Sequence, residues 1–246
     1  MQRYFGRIVE RQAILEDDDV FHLSRVMRAK VGDQIEVVSD GIVYLCQISR
    51  FKPLTIDIVR KLRENNELPN NIILIASLLK GDKLDLVLQK ATELGASEIV
   101  LLKTERTIVK FKQDDKDVKL ERFNKILKEA AEQSKRSHIP SLYRVLDFKS
   151  LHTVDADVKI IAYEGMEGPS GSFNKVIDSI KPEQKVAVLI GPEGGFSDDE
   201  VELATKCGYK KVSLGKRILR AETATFYALS VIANSLERNK WQNLSH

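Results

Sequence analysis

The sequence predicts an α/β protein: a mainly parallel sheet with helices on both faces, preceded by a small β-rich barrel. Three observations predict it. From Ile72 onward, unbroken apolar runs of strand length alternate with amphipathic helical stretches, the pattern of strands buried on both faces and joined by crossover helices. Residues 1–68 instead hold several short strand-like runs, a hairpin signal and one short helical stretch, which suits a small barrel. Between them Arg63–Asn71 (RENNELPNN) is polar with one proline, reads as a linker, and divides the chain into residues 1–68 and 69–246.

In the first part, Gln34–Val38 and Ile42–Ser49 read as strands joined by Ser39-Asp40-Gly41, where glycine is ready for positive φ. Leu54–Lys61 is a further strand. Asp19–Arg28 is a short helix with Val20, Leu23 and Met27 expected on its inner side and His22, Arg25 and Arg28 opposite. In the second part, Ile72–Leu79 is a near-continuous apolar strand, followed by a helix to Leu94 with Leu84, Leu88, Ala91 and Leu94 on one stripe and Gly95 closing it. Ile99–Leu102 is a strand, Lys112–Asp117 a charged loop, and Leu120–Arg136 an amphipathic helix that buries Phe123, Leu127, Ala130 and Ala131 before Pro140. Val158–Tyr163 is a strand and Phe173–Ile180 a short helix. A last helix from about Ala221 to Arg238 has so broad an apolar band that it suits either a central core or packing against a second copy of the chain.

With 246 residues, 43% apolar and 30% charged, the chain is long enough for two domains and is too apolar for a disordered chain. The opening MQRYFGRIVE has no apolar core of a signal segment, and no run approaches a membrane span, so a cytoplasmic protein is expected, without membrane contact. Cys46 and Cys207 stand far apart without His or Cys at ligand spacing. They read as buried thiols in a reducing compartment, and no metal site is expected. Net charge is only +3, and residues 1–68 balance 11 Lys/Arg against 11 Asp/Glu, yet arginines cluster early in the chain. That clustering fits a basic face as well as a solvated surface.

Lys185–Leu219 carries the strongest chemical signal. Val186–Ile190 is a buried-strand run that stops at Gly191-Pro192-Glu193-Gly194-Gly195, and Ser197 then opens a helix with Glu200 at capping-box spacing. Lys211–Leu214 reads as another strand, ending at Gly215. The strand Val158–Tyr163 runs into a third glycine-bearing exit, Glu164–Pro169. Neighbouring exits of this kind form a ligand crevice. Neither phosphate-binding glycine pattern occurs anywhere in the chain. Glu193, Asp198, Asp199 and Glu200 would repel a pyrophosphate by about a kcal/mol or more per close pair. A neutral or cationic ligand held by backbone groups suits the loop, and S-adenosylmethionine, a sulfonium without phosphate, fits. Spacing alone also suits a tight turn before a well-capped helix.

These stretches carry a family likeness. IGPEGGFSDDE (190–200) and LGKRILRAETA (214–224) closely resemble signatures of the SPOUT superfamily of RNA methyltransferases. QKATELGASEI (89–99), EAAEQSKR (129–136) and HLSRVMRAKVGD (22–33) resemble blocks of its RsmE family, which methylates N3 of a uridine in small-subunit (16S) ribosomal RNA. The five blocks stand in the expected order over nearly the whole chain. The resemblance implies a PUA-like N-terminal barrel that binds RNA, a C-terminal SPOUT domain threaded into a trefoil knot, and a homodimer. General topology rules argue against knots, so only the resemblance implies one. It also implies that the donor lies in the knot against Tyr163, Ile190, Gly191, Pro192, Glu193, Gly194, Leu214, Gly215, Ile218, Leu219 and Ala224. The implied partner is small-subunit ribosomal RNA, within an assembled or nearly assembled subunit.

Methylating uridine N3 requires removing the imide proton and presenting an unpaired base edge-on. Arg220 and Glu222, just past the donor loop, are the candidates to serve the base. Arg220 would stabilise charge on the uracil carbonyl oxygens, while Glu222 or Glu193 would accept the proton or orient the nucleotide. An ion pair between Arg220 and Glu222 at a helix start is the plainer alternative. Arg3, Arg7, Arg25 and Arg28 on the barrel, with Lys80, Lys83, Arg106 and Arg136, are candidates for RNA phosphate contact, and each taken singly also fits a solvated charge. His22 suits a capping or core role. The competing functions are another SPOUT reaction, such as ribose 2′-O methylation of transfer or ribosomal RNA, and a non-catalytic ribosome-assembly protein.

Overall fold

The computed structural model describes residues 1–107, 116–142, 144–164 and 171–243. Most of the expected loop Lys112–Asp117 and of the exit Glu164–Pro169 lies outside the described residues. The described chain forms two compact units, Met1–Glu67 with Lys128–Ile139, and Leu68–Leu127 with Pro140–His246.

The first unit is one six-stranded sheet. Its strands are β1 (Arg3–Phe5), β2 (Arg7–Val9), β3 (Gln12–Ile14), β4 (Gln34–Ser39), β5 (Ile42–Phe51) and β6 (Leu54–Lys61), in the order β1-β4-β5-β6-β3-β2. β1 and β2 end that order, yet only Gly6 separates them in the chain, so the sheet must curl until its two edges meet. The hairpin expected at Ser39–Gly41 joins β4 and β5, and Asp40 and Gly41 both take positive φ (50° and 74°). Two register shifts between β5 and β6 help the sheet bend. Tyr4, Leu23, Ile35, Val37, Cys46, Ile48 and Ile56 fill the inside. Burial pushes the Cys46 thiol up to about 11, so it stays protonated.

The helix expected over Asp19–Arg28 is two pieces, α1 (Asp17–Phe21) and a π-helical turn over His22–Val26. Leu23 is buried as expected. Met27, expected inside, is 49% exposed, because the wider turn rotates it out of the inward stripe. His22, expected in a capping or core role, is half-buried, its Nδ1 lying 3.0 Å from the Tyr4 hydroxyl.

Two of the arginines expected to meet RNA are structural. Arg3 is 1% exposed; its Nε donates to Glu36 (2.8 Å) and its Nη2 to Glu64 (3.0 Å). Arg136, 3% exposed, meets Glu67 at 2.6 Å. Burial works against the charged forms of Glu36 and Glu67, but Lys135 and Arg3 outweigh it at the first and Arg136 at the second, so both carboxyls lie below the ordinary range. A guanidinium buried and paired in this way has no face to offer a phosphate. Glu67 also shows that the linker segment is partly structural, as does Asn70 of the second unit, whose side-chain amide donates to Lys181 O and Gln184 O.

The second unit is a six-stranded, wholly parallel sheet. It is built from β7 (Ile72–Ser77), β8 (Glu98–Lys103), β9 (Val145–Asp147), β10 (Val158–Ala162), β11 (Val186–Ile190) and β12 (Lys210–Val212), ordered β12-β10-β11-β7-β8-β9. Its helices are α2 (Asp82–Glu93), α3 (Lys116–Gln133, whose last turns belong to the first unit), α4 (Gly171–Asp178), α5 (Asp198–Lys206) and α6 (Ala221–Asn243). Every residue of β7 and β11 is buried, as their unbroken apolar runs require. Ile73, Ile75, Val100, Leu102, Ile161, Ala187 and Leu189 form one face, covered by Val201 and Ala204 of α5 and by Phe148 and Leu151 of a 3₁₀ turn over Phe148–Thr153. The alternate residues point to the other face, where α6 packs on β11, α2 and α4. β9 and the 3₁₀ turn were not expected from the sequence.

Candidate functional site

All six strands of the second unit run parallel, so their C-terminal ends share one edge of the sheet. The order β12-β10-β11-β7-β8 sets five exits side by side along that edge: Ser213–Gly215, Tyr163, Gly191–Gly195, Leu78–Gly81 and Thr104–Arg106. The sequence marked the first three of these.

The loop after β11 folds onto its own chain. A Cβ on Gly191 would lie 3.1 Å from the Phe196 ring, so glycine is what lets the backbone pass. Phe196 is in turn buried edge-on against Phe148, with centroids 5.8 Å apart. The Gly195 amide closes the turn onto Pro192 O at 3.0 Å. The expected capping box is present: Ser197 Oγ accepts from the Glu200 amide (3.4 Å) and Glu200 Oε2 from the Ser197 amide (3.0 Å). Glu200 has a second task that spacing did not reveal, because its Oε1 accepts the Glu105 amide at 2.8 Å and so ties the β8 exit to the start of α5.

Three side chains, from the end of β7, the start of α2 and the β8 exit, pin the same loop. Ser77 Oγ donates to Ile190 O at 3.0 Å, buried. Lys83 Nζ donates to Glu193 at 3.0 Å, and the Lys80 amide also reaches that carboxylate. Partial burial works against the Glu193 charge, but hydrogen bonds from its own backbone, Lys83 and Lys80 prevail, holding the carboxyl below its ordinary value. Arg106 donates from Nη1 to Gly194 O at 2.7 Å and lays its stem along that glycine. Lys83 and Arg106, both marked for RNA, thus already have partners in the loop. Lys80 remains exposed. On the chain alone, the signal for their role was that each follows a strand belonging to this edge.

The other exits are more open. The Tyr163 amide donates to Val212 O (3.0 Å), and its hydroxyl reaches Asp198 weakly at 3.4 Å. Gly215 takes φ +123°, and a Cβ there would meet no atom within 4 Å, so open space lies beside it. Leu214 and Leu219 are half-buried, whereas Ile218 is 83% exposed. Ala221 opens α6, and the Ala224 amide caps onto Arg220 O at 2.7 Å. Arg220 is exposed. Glu222 Oε2 is buried without a hydrogen-bond partner among the described residues, and no ion pair joins Arg220 to Glu222 there, so the plainer alternative for the two falls.

The electrostatics are milder than four adjacent carboxylates suggest. Glu193 is paired and Glu200 is buried in its hydrogen bonds, leaving Asp198 and Asp199 exposed beside the loop. Two exposed carboxylates and bent, glycine-bearing backbone suit a ligand with positive charge and no phosphate. Among the described residues no group of three His, Cys, Asp or Glu side chains could hold a metal ion, and no helix is long and apolar enough to cross a membrane. A polar cavity at the opposite end of the strands has its charges matched internally, Arg144 with Glu98 and Lys185 with Asp155.

Residues 66–233 match the family described as RNA methyltransferase domain, and residues 15–67 match RNA methyltransferase PUA domain. The chain is 36% identical to ribosomal RNA small subunit methyltransferase E of Bacillus subtilis, over 96% of this chain and 98% of that protein. It is 36% identical to the protein of the same name from Synechocystis, over 94% of this chain and 76% of that one. Among solved structures it is similar to ribosomal RNA small subunit methyltransferase E from Neisseria gonorrhoeae bound to S-adenosyl methionine, with a TM-score of 0.83 and 28% identity, covering 95% of this chain and 97% of that one.

Proposed function

This chain belongs to the ribosomal RNA small subunit methyltransferase E family, and on that footing we propose that it methylates N3 of one uridine in small-subunit ribosomal RNA, with S-adenosylmethionine as donor. The observation that carries the proposal is the row of exits from β12, β10 and β11, glycine-bearing at Gly215 and at Gly191–Gly195, followed along the chain by a helix whose Glu222 holds an unbonded carboxylate oxygen. When bound, S-adenosylmethionine supplies an electrophilic methyl group on a sulfonium. Tyr163, the Ile190–Gly194 loop, Leu214, Gly215, Leu219 and Ala224 would hold it, with Ile218 lending backbone. Asp198 and Asp199 favour its charge.

The chain's own chemistry concerns the acceptor. Glu222 accepts the N3 proton as the N–H bond breaks, leaving the nitrogen lone pair free to bond to carbon. Arg220 stabilises the negative charge that spreads onto the two uracil carbonyl oxygens. Glu193, anchored by Lys83 and the Lys80 amide, is a poorer proton acceptor because its carboxylate is already stabilised. The same reading carries a trefoil-knotted C-terminal chain and a homodimer, for which the exposed Ile218 and Tyr227 (83% and 41%) provide apolar surface.

The test is methyl transfer to small ribosomal subunits from cells lacking the protein, followed by nucleoside analysis. 3-Methyluridine is the expected product, and a 2′-O-methyl nucleoside would overturn the proposed acceptor. Arg220→Ala and Glu222→Ala should each lose turnover and keep donor binding. Wild-type turnover in both variants would reject the roles given to these residues.

A further inference from the structure

The segment Phe21–Val31 of the first unit departs twice from ordinary backbone. The Met27 amide bonds to His22 O at 2.9 Å, five residues back, and Arg28 takes φ +52°, a left-handed value uncommon outside glycine. π turns and such φ values recur where surrounding structure holds a chain in shape for a task. Here the effect is to sink Leu23 into the core while Phe21 (63% exposed), Val26 (60%), Met27 (49%) and Val31 (61%) face water. Apolar exposure on that scale within one short segment marks an interaction surface.

Arg25, Arg28 and Lys30 are interleaved with those side chains. All three are exposed, and none makes an ion pair or side-chain hydrogen bond among the described residues. Elsewhere in the same unit Arg3, Lys128, Lys135 and Arg136 are each tied to carboxylates. The unit's cations thus divide into a structural set and an unpaired one, to which Arg7, Arg11, Arg60, Lys61 and Arg63 also belong; what sets Arg25, Arg28 and Lys30 apart is the exposed apolar side chains between them. Of the nearby acids, Asp19 turns inward to Lys128 (2.6 Å) and Asp33 accepts the Lys30 amide (2.7 Å), while Asp17 and Asp18 lie in the first turn of α1.

We propose that this ridge holds an unpaired stretch of RNA: the Phe21 ring stacks on an exposed base, and Arg25, Arg28 and Lys30 contact the phosphates beside it. The proposal rests on the RNA substrate argued above and adds a requirement, that the substrate present single-stranded nucleotides to this unit as well as the target base to the other. A paired A-form helix hides its base faces and offers mainly phosphates and 2′-hydroxyls, so an exposed aromatic ring gains nothing from a duplex. It gains from splayed bases, which stack on aromatic side chains whatever their sequence. A protein partner would bury the apolar side chains but would leave three cations unanswered, whereas a polyanion answers them.

The experiment measures binding of the full chain to a fluorescent single-stranded oligonucleotide of RNA and to a duplex of equal length. Phe21→Ala should weaken single-strand binding on the order of 10- to 100-fold and leave duplex binding unchanged. Phe21→Trp should keep it, and Phe21→Leu, apolar but unable to stack, should lose it as alanine does. Arg28→Ala should lower the slope of log affinity against log salt by about 0.7. Unchanged binding in Phe21→Ala overturns the proposal, and so does full binding in Phe21→Leu, which would mark an apolar protein-docking surface. Donor affinity, measured separately, should be the same in every variant. If the wild-type chain transferred no methyl group to small subunits, the proposed function would fail, and these oligonucleotide affinities would still decide the ridge.

Discussion

Glu132, on the part of α3 that belongs to the first unit, is 8% exposed and carries a charge its surroundings resist. Burial, helped by Asp19, pushes its carboxyl from an ordinary 4.5 up to about 7, against the opposing pull of Lys128 (4.0 Å) and the Phe5 amide (3.3 Å). Between those two values the folded chain holds a proton that the unfolded chain has released, so stability must fall as pH rises and level off above about 7. Integrating from pH 5 to pH 8 gives a loss on the order of 2 kcal/mol from this one group. Glu132→Gln removes the titration and keeps an oxygen for the Phe5 amide. It should therefore match wild type within about 0.5 kcal/mol at pH 5 and exceed it by about 2 kcal/mol at pH 8. Urea unfolding followed by circular dichroism at both pH values measures the double difference, in which the other titrating groups cancel. A variant no more stable than wild type at pH 8, or one whose advantage is the same at both pH values, would refute the reasoning.

Two further outcomes concern the loop after β11. Arg106→Ala removes an ionic donor to a backbone carbonyl, a contact worth about 1 to 1.5 kcal/mol at an exposed site, and should weaken S-adenosylmethionine binding about 10-fold by calorimetry while Arg106→Lys recovers part of it. Glu193→Gln and Glu222→Gln should separate in steady-state kinetics: the first changes kcat only a few-fold, the second lowers it about 100-fold or more, the usual scale for losing a general base.

How much of this could be read from the chain depended on how local each cause was. The strands β7 and β11 and the capping box at Ser197 announce themselves within a few residues, because an unbroken apolar run or a Ser-x-x-Glu spacing is its own signal. The π turn does not, since inserting one residue into a helical turn leaves composition unchanged and only shifts which side chains face inward. That shift is why Met27 was placed on the wrong side. The burial of Arg3 and Arg136 is hidden for the opposite reason: their carboxylate partners, Glu36 and Glu67, stand 33 and 69 residues away in the chain. The functional edge was legible as three separate glycine exits, but strand order, which makes them neighbours, is a property of the whole sheet.

Strand order also decides what the charged residues at that edge can do. Lys83 and Arg106 follow β7, which pairs with β11, and β8, the next strand beyond it, and each side chain bonds to a group of the β11 loop. Their positive charge therefore serves the shape of the loop. Among the described residues, Arg25, Arg28 and Lys30 in the other unit and Arg220 beside the proposed acceptor site make no ion pair. If phosphate affinity came mainly from Lys83 and Arg106, neutralising them would flatten the salt dependence of RNA binding and leave donor affinity alone. The ion pair at Glu193 and the contact at Gly194 require the reverse: donor affinity falls, and the salt dependence stays with the unpaired set.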